Sequence, residues 1–338
     1  MKTAVLTALT IPASFAAAVA ATWVVRNWLK RQSVVDAPGD RSLHKHDTVT
    51  GGGLAISLVL VVLWICLRLN GVNLSPVLLL PVIAFTVIGM LDDVYNLYWL
   101  QKLSLQLAAA ALFVILFGSF TKLEMFGFVV ETEWLIAPVS VAWIVGFVNI
   151  YNFMDGIDGL AGSYGALCAC VLGVWLALMG DTDAFLFLFG LMAACLGFLI
   201  WNWAPAKIFL GDTGSMMLGG TLATVSVMAQ REYDIPLSAI VLLFAVFIGD
   251  TAYTLIRRGL RREKIWQAHR EHLYQRAVRS GLTHSFVTGM ILLISLVTCL
   301  FASLEMGRVG PRILWLASSL AVLGLAMALV RKRELRRS

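Results

Sequence analysis

Apolar residues dominate this chain in long runs that short polar segments separate. A membrane span needs roughly 17 to 25 apolar residues. The pattern predicts eleven spans, at about 4–25, 52–69, 76–91, 103–120, 134–150, 160–180, 184–203, 214–229, 236–256, 286–304 and 312–330. A spanning backbone must satisfy its own hydrogen bonds, and no run alternates in the manner of a barrel strand. We therefore predict an all-α integral membrane protein that needs no strands.

The composition supports lipid as the main solvent of the fold. Of the 338 residues, 59% are hydrophobic and 14% are charged, and the mean hydropathy is +0.84. The longest polar segment, 257–285, has only 29 residues, and we find no internal repeat. We therefore predict one polytopic membrane domain over residues 1–338, without a separate soluble domain.

The basic residues predict the orientation of the spans. Twenty of the 26 lysines and arginines lie in the segments 26–51, 92–102, 204–213, 257–285 and 331–338, whereas the loop 151–159 holds none. Loops on the cytoplasmic side carry the excess of Lys and Arg. We therefore expect the N-terminus outside and the C-terminus in the cytoplasm.

The formal charge of +6 raises the question of the binding partner. A nucleic-acid-binding protein would carry its basic residues along a soluble face, whereas here they stand at the ends of apolar runs. Membrane lipids and phosphate groups are therefore the expected partners, and nucleic acid is not.

The first 22 residues resemble a secretory signal, because Lys2 precedes an apolar run that ends in Ala-Ala-Val-Ala-Ala. A charge-rich segment with Arg26, Lys30 and Arg31 follows immediately. That arrangement favours a retained first span over a cleaved signal.

Five aspartates at span ends fall on the cytoplasmic side that the basic residues predict, whereas Asp181, Asp183 and Asp234 lie in predicted external loops. Asp92 and Asp93 end the third span, and Asp155, Asp158 and Asp212 lie at the ends of others. Two adjacent carboxylates near hydrocarbon repel each other and need a cation or a proton for compensation. A solvated span terminus is the alternative for the Asp92-Asp93 pair.

A string of polar residues interrupts the end of the fifth span. Asn149, Asn152, Asp155 and Asp158 recur at every third position, which places the first three along one side of a helical turn. Amide and carboxylate oxygens suit a hard cation such as Mg²⁺. Turn formation explains the two Asp-Gly pairs, but it does not explain two asparagines in an apolar span.

The segment 201–215 opens the eighth span with Gly-Asp-Thr-Gly-Ser. Such a turn offers free backbone N–H groups and the positive end of a helix, beside Asp212 as a metal ligand. Lys207 could neutralise a phosphate and Phe209 could stack on a base, with Asn202 as a further substrate contact. The alternatives are ordinary cytoplasmic charge for Lys207 and core packing for Phe209.

The basic loop contains His269, Arg270 and His272. The histidines are three residues apart, so they can share a helical face and donate to phosphate oxygens. Binding of anionic lipid headgroups is the alternative for this loop. In the loop before the second span, His44 and Lys45 are further candidate phosphate contacts.

These motifs, in this order and on one face, resemble the polyprenyl-phosphate N-acetylhexosamine-1-phosphate transferases, the WecA/MraY superfamily. The likeness extends from about residue 34 to 285. It implies a bacterial inner-membrane enzyme whose active site is formed by the cytoplasmic loops 26–51, 92–102, 151–159, 204–213 and 257–285. It also implies transfer of N-acetylhexosamine-1-phosphate from a UDP-N-acetylhexosamine to undecaprenyl phosphate, release of UMP, and a requirement for Mg²⁺, with Mn²⁺ as a substitute. A homodimer is left open.

The resemblance also implies roles for single residues. Asp212 matches the metal ligand, with Asp155 beside it, and Phe209 matches the residue that stacks on uracil. The other matched positions are the aspartate pair Asp92 and Asp93, the downstream lysine Lys102, the nucleotide and pyrophosphate contacts Asn152 and Asp155, and the first loop histidine His269.

The basic loop departs from the family pattern. The family usually has His-x-His-His or three histidines, whereas this chain has His-Arg-Glu-His at 269–272. The approach to the glycine triplet, 48–50, also lacks the expected proline and arginine. Both features favour the branch that starts O-antigen or capsule chains.

A transporter of lipid-linked sugars or an ion-coupled transporter is the alternative of a different class. Transporters hold their charges near the bilayer midplane, whereas here Asp250 is the only deep candidate. An inactive scaffold for polysaccharide assembly does not explain why the five aspartates at cytoplasmic span ends are all present.

Overall fold

The fold is described by a computed structural model, which covers residues 2–36, 47–125, 128–264 and 270–335. The helices are α1 (Lys2–Arg31), α2 (Gly53–Leu69), α3 (Pro76–Tyr95), α4 (Trp99–Phe117), α5 (Glu133–Phe153), α6 (Leu160–Leu178), α7 (Thr182–Asn202), α8 (Gly211–Tyr233), α9 (Leu237–Leu243), α10 (Ala245–Leu260), α11 (Leu273–Arg279), α12 (His284–Met306) and α13 (Arg312–Leu335). The strands are β1 (Val35–Asp36), β2 (Thr48–Val49), β3 (Leu123–Met125) and β4 (Phe128–Val130).

Every predicted span coincides with a helix, and α9 and α10 share the ninth. In the described ranges, eight helices are long and apolar enough to cross a membrane, or up to nine if α9 and α10, bent by 77°, form one span. Helix α2 is also apolar, but with 17 residues it is shorter than these eight helices. The chain is therefore a multi-pass membrane protein, while the number of eleven spans and the orientation stay predictions.

Helix α8 lies at the centre of the bundle. All residues from Thr213 to Gln230 are buried, so this helix is surrounded by protein on every side. Its small residues let neighbouring helices approach closely. A Cβ atom on Gly220 would lie 2.1 Å from the ring of Phe85 on α3, and one on Gly219 would lie 2.8 Å from Tyr151 on α5.

The prediction that the fold needs no strands was wrong in two connecting segments. Strands β1 and β2 form an antiparallel pair with Val35 opposite Val49, and β3 and β4 form a second with Leu123 opposite Val130. With only two or three residues each, these strands are too short to show the alternation by which a strand is predicted from sequence.

Helix starts are defined by local capping. The Ser75 side chain accepts a hydrogen bond from Val77 N, and Pro76 stands at the first position of α3, where its missing N–H costs nothing. At the start of α7, Asp181 accepts from Ala184 N.

We call the end of the bundle that holds Asp92 and Asp212 the site end, and the opposite end, where α3 begins, the far end. At the far end, Lys122 lies 2.7 Å from Asp234, and Arg312 lies 2.9 Å from Glu124. These ion pairs connect the loops and helix termini of the far end to one another.

Candidate active site

The site end is organised by the contact between the last turn of α3 and the first turn of α8. A Cβ atom on Gly89 would lie 2.2 Å from the carbonyl oxygen of Asp212, so the two backbones touch there. Asp93 Oδ1 accepts from Asp212 N at 2.9 Å. Asp93 Oδ2 accepts from Thr213 N at 2.9 Å and from Thr213 Oγ1 at 2.6 Å. Asp93 therefore satisfies backbone donors that the start of α8 would otherwise leave without partners.

Lys102 on α4 contacts two further carboxylates at the site end, those of Asp92 and Asp212. Its ammonium donates to Asp92 Oδ2 in a short contact and to Asp212 Oδ2 at 3.2 Å. Asp92 is buried, whereas the Asp212 side chain is 31% exposed and remains accessible to a ligand. The lysine cation offsets the repulsion between these two carboxylates.

Asn152 reaches Asp212 from the opposite side. Its Nδ2 donates to Asp212 Oδ1 at 2.7 Å and to Ser215 Oγ at 2.9 Å. Asn149, one turn earlier on α5, instead donates to Gln106 Oε1 at 2.7 Å. Asn149 therefore lies in a polar link between α4 and α5, and Gln106, a polar residue in an apolar span, is the signal by which this link could have been found.

Asp155 lies in the turn between α5 and α6. Its backbone N donates to Asn152 O at 3.2 Å, whereas its carboxylate has no hydrogen-bond or ion-pair partner in the part of the chain that the structure describes. Burial, and then the charges of Asp212, Asp93 and Asp158, raise the pKa of this carboxyl group to about 8. A carboxylate with three like charges nearby needs a cation or a proton. This is the feature of the site that most calls for a ligand.

Asp158 and Asn202 connect the turns around the site. Asp158 Oδ2 accepts from Ala206 N at 3.1 Å, and Asp158 Oδ1 lies 3.3 Å from His284 Nδ1. Asn202 Oδ1 accepts from Gly159 N at 3.1 Å. The structure thus gives both residues a role in loop geometry, and their contact with substrate stays a prediction. Sequence reasoning did not single out His284, which lies far away in the chain.

The glycine triplet 51–53 packs against the strand-like segment that leads into α8. Phe209 N donates to Val49 O at 2.8 Å, and Gly52 N donates to Phe209 O at 2.9 Å. A Cβ atom on Gly53 would lie 2.0 Å from Gly214 Cα. Close backbone contact therefore explains Gly53, and the same hydrogen bonds fix the position of Phe209, which is half-buried.

The remaining predicted residues are Lys207, Arg270 and His272, together with three that fall outside the described residues. Lys207 is exposed, with its ammonium 5.5 Å from the centre of the Trp201 ring. His272 is buried, and its Nδ1 lies 3.1 Å from Asp250 Oδ1. Arg270 is partly buried just before α11. The predictions for His44, Lys45 and His269 fall outside the described residues.

A metal ion fits the donor set, although the described side chains include no group of three His, Cys, Asp or Glu residues already arranged as ligands. Asp212 is accessible, and Asp155 is an uncompensated carboxylate. Carboxylate oxygens with room for water and phosphate are the ligands that Mg²⁺ prefers. Asp212 and Asp155 are therefore the pair that could hold it.

Comparison with known proteins gives consistent matches. Residues 75–230 match the family model of glycosyl transferase family 4. The chain is 31% identical over 285 residues to a probable undecaprenyl-phosphate N-acetylglucosaminyl 1-phosphate transferase of Bacillus subtilis (strain 168), a match that covers 82% of this chain and 78% of that protein.

The phospho-N-acetylmuramoyl-pentapeptide-transferases are also similar. The protein of Streptococcus pneumoniae (strain Taiwan19F-14) is 32% identical over 212 residues, covering 59% of this chain and 65% of that protein. The one of Staphylococcus carnosus (strain TM300) is 30% identical over 244 residues, covering 67% and 74%. The family match to residues 75–230 spans α3, α4, α5, the turn of Asp155 and the start of α8. These segments carry Asp92, Asp93, Lys102, Asn152, Asp155 and Asp212, which we call the site group.

Proposed function

Because the chain belongs to the WecA/MraY superfamily of polyprenyl-phosphate hexosamine-1-phosphate transferases, we propose that it transfers N-acetylhexosamine-1-phosphate from a UDP-N-acetylhexosamine to undecaprenyl phosphate and releases UMP. The reaction would take place on the cytoplasmic face of the bacterial inner membrane. It would start an O-antigen or related cell-envelope polysaccharide, as the His-Arg-Glu-His loop favours.

The observation that carries the proposal is the grouping of a lysine and four carboxylates around the start of α8. Lys102 lies between Asp92 and Asp212, while the carboxylate of Asp155 has like charges near it and no hydrogen-bond or ion-pair partner among the described residues. Two polyanionic substrates repel each other, so a site that joins them must supply positive charge. When bound to Asp212 and Asp155, Mg²⁺ would supply that charge and polarise the pyrophosphate.

The chemistry is a direct displacement at phosphorus. An oxygen of the lipid phosphate forms a bond to the β-phosphorus of the donor. The bond from that phosphorus to the oxygen bridging it to the α-phosphate breaks, and UMP leaves with the bonding electron pair. Lys102 and Asp92 align the lipid phosphate, and Asn152 holds the carboxylate of Asp212 in place.

Asp92 organises charge in this proposal and does not act as a general base. A phosphate monoester has a second pKa near 6, so the lipid phosphate is already largely dianionic at neutral pH. We expect Asp92→Asn to lower kcat by a similar factor at low and at high pH. A loss that is large at low pH and small at high pH would identify Asp92 as the base.

A small apolar cavity beside the site offers a place for the first part of the prenyl chain. It has a volume of about 70 Å³ and lies among α10, α11, α12 and α13, next to Met154 in the turn that holds Asp155. The cavity has room for about one isoprene unit, and burial of that unit there would leave the phosphate near the charged group.

A donor screen tests the proposed function. Purified protein with undecaprenyl phosphate and Mg²⁺ is given UDP-GlcNAc, UDP-GalNAc or a UDP-6-deoxy-N-acetylhexosamine, and UMP release is measured. UDP-GlcNAc is the first choice, because the Bacillus subtilis relative is named for N-acetylglucosamine. Asp212→Asn serves as the inactive control. If no donor yields UMP, the proposal fails.

The transporter alternative is not favoured. The relatives are named as transferases, and Asp250, its deep acidic candidate, accepts hydrogen bonds from backbone amides of α11. A carboxylate engaged in this way is poorly placed to bind and release an ion during transport.

A further inference from the structure

Asp250 is a buried carboxylate that caps a helix it does not belong to. It lies on α10 and is 6% exposed. Its Oδ1 accepts from Leu273 N at 2.9 Å, and its Oδ2 accepts from Tyr274 N at 3.2 Å. These are the first amides of α11, and His272 Nδ1 adds a contact of 3.1 Å to the same carboxylate. Asp250 therefore fixes the position and direction of α11.

Tyr274 extends this connection from α11 to the turn that carries Asp155. Its hydroxyl donates to Phe153 O, the last carbonyl of α5, at 2.9 Å. A helix leaves its last carbonyls without intrahelical partners, so this bond satisfies a group that α5 cannot satisfy itself. Tyr274 is 2% exposed, and burial raises the pKa of its phenol well above the usual value, so the hydroxyl remains a donor.

The turn 153–159 has room for the Tyr274 side chain because residue 156 is a glycine. A Cβ atom on Gly156 would lie 2.1 Å from Tyr274 Oη, so no other residue fits there without a shift. Asp155 stands between Phe153 O and Gly156, the two points that Tyr274 contacts. Loss of the tyrosine hydroxyl would therefore remove a contact from the backbone on both sides of Asp155.

From these contacts we propose that Asp250 and Tyr274 are positioning residues, which hold the turn 153–159 and thereby Asp155 in the geometry that the transfer reaction needs. We call the connection from Asp250 through Tyr274 to Phe153 O the α11 brace. The inference rests on the proposed function for the reaction, whereas the brace itself can be tested without any substrate.

Two roles of Tyr274 have to be distinguished, contact with the lipid acceptor and positioning of the turn 153–159. The same side chain also lines the apolar cavity described above, where its ring could contact the lipid acceptor. A wall of a lipid site affects the KM for the acceptor, whereas a positioning residue affects kcat. Tyr274→Phe keeps the ring and removes only the hydroxyl, so it tests the positioning role.

Hydrogen exchange of the full-length protein in lipid nanodiscs tests the brace directly. Tyr274→Phe is expected to raise amide exchange in 153–159 and to leave α11 unchanged, whereas Asp250→Asn is expected to raise exchange in both. The matched control is Tyr164→Phe, because Tyr164 is also buried and donates to a backbone carbonyl, Leu243 O, at 3.3 Å. It should leave exchange in 153–159 at the wild-type level.

Kinetics complete the test. Tyr274→Phe is expected to lower kcat by about tenfold to about a hundredfold, the loss that a small misplacement of catalytic groups produces, with little change in the KM for the lipid acceptor. Tyr164→Phe should leave kcat unchanged. A Tyr274→Phe variant that equals Tyr164→Phe in exchange and in kcat, or that changes only the KM for the acceptor, would overturn the proposal. If the wild-type protein releases UMP from no donor, the proposed function fails, and exchange in 153–159 still decides whether the brace exists.

Discussion

Asp93 caps the helix that carries Asp212. Both oxygens of the Asp93 carboxylate accept hydrogen bonds from the first turn of α8, at 2.6 to 2.9 Å. The neighbouring Asp92 instead contacts Lys102. The two adjacent aspartates therefore have different tasks: Asp93 places α8 against α3, and Asp92 belongs to the charged group that Lys102 organises.

Removal of this cap should affect both stability and activity. Asp93→Ala is expected to lower the free energy of unfolding by about 1 to 2 kcal/mol and to lower kcat by more than about tenfold, because the start of α8 shifts. Thermal unfolding and UMP release measure the two effects. Ser75→Ala removes the cap of α3 at the far end and should lower stability alone. Equal kcat in the two variants would contradict the positioning role of Asp93.

Lys102 should be required for activity because it separates two carboxylates. Lys102→Met leaves Asp92 and Asp212 facing each other without a cation, and we expect kcat to fall by more than about a hundredfold and stability by about 1 to 3 kcal/mol. Lys122→Met is the control, since Lys122 pairs with the exposed Asp234 at the far end. It should cost less than about 1 kcal/mol and leave kcat unchanged. A Lys102→Met variant with normal kcat would exclude the lysine from the mechanism.

Asp155 should make the stability of the metal-free protein depend on pH. The folded protein holds this carboxyl proton up to a pKa of about 8, because of burial and then the nearby charges, whereas the unfolded chain loses it near 3.8. Between these values the folded state binds more protons, so the free energy of unfolding falls as the pH rises, by at most about 1.4 kcal/mol per pH unit from this group.

The Asp155→Asn variant isolates this contribution. Thermal unfolding of wild type and variant is compared from about pH 5 to about pH 8, and the variant should lose less stability over that range. Addition of Mg²⁺ should raise the Tm of the wild type most at the upper end, where the carboxyl group is ionised. Parallel pH curves for both proteins would show that Asp155 does not titrate in this range.

The contact between Gly53 and Gly214 should tolerate no side chain. In Gly53→Ala the new Cβ would lie 2.0 Å from Gly214 Cα, and we expect a loss of about 2 to 3 kcal/mol, because backbone must move. Gly289 also lies inside a helix, and its Cβ would meet nothing within 4 Å. Gly289→Ala should therefore leave the Tm unchanged or raise it. A similar Tm for both variants would argue against tight packing of α2 on α8.

Sequence reasoning found most of the site group but could not assign its contacts. Asp92, Asp93, Lys102, Asn152, Asp155 and Asp212 were all singled out by polar residues at span ends and by the family resemblance, and the structure brings them together. The roles of Thr213 and Tyr274 were not predicted, because both depend on partners more than a hundred residues away. Such pairs leave no periodic signal in a single sequence.

The amino-acid sequence alone predicted a multi-pass membrane protein, its long helices and the span ends where its polar residues gather. It could do so because apolar run length and the position of charges are local properties, set by the thickness of the membrane and the cost of burying charge. Three relationships become visible only when the helices are packed together: Asp93 caps α8, Lys102 lies between Asp92 and Asp212, and Asp250 and Tyr274 hold the turn of Asp155. These contacts depend on which helices pack side by side. The packing of α2 and α3 on α8 requires close backbone approach at Gly53 and Gly89.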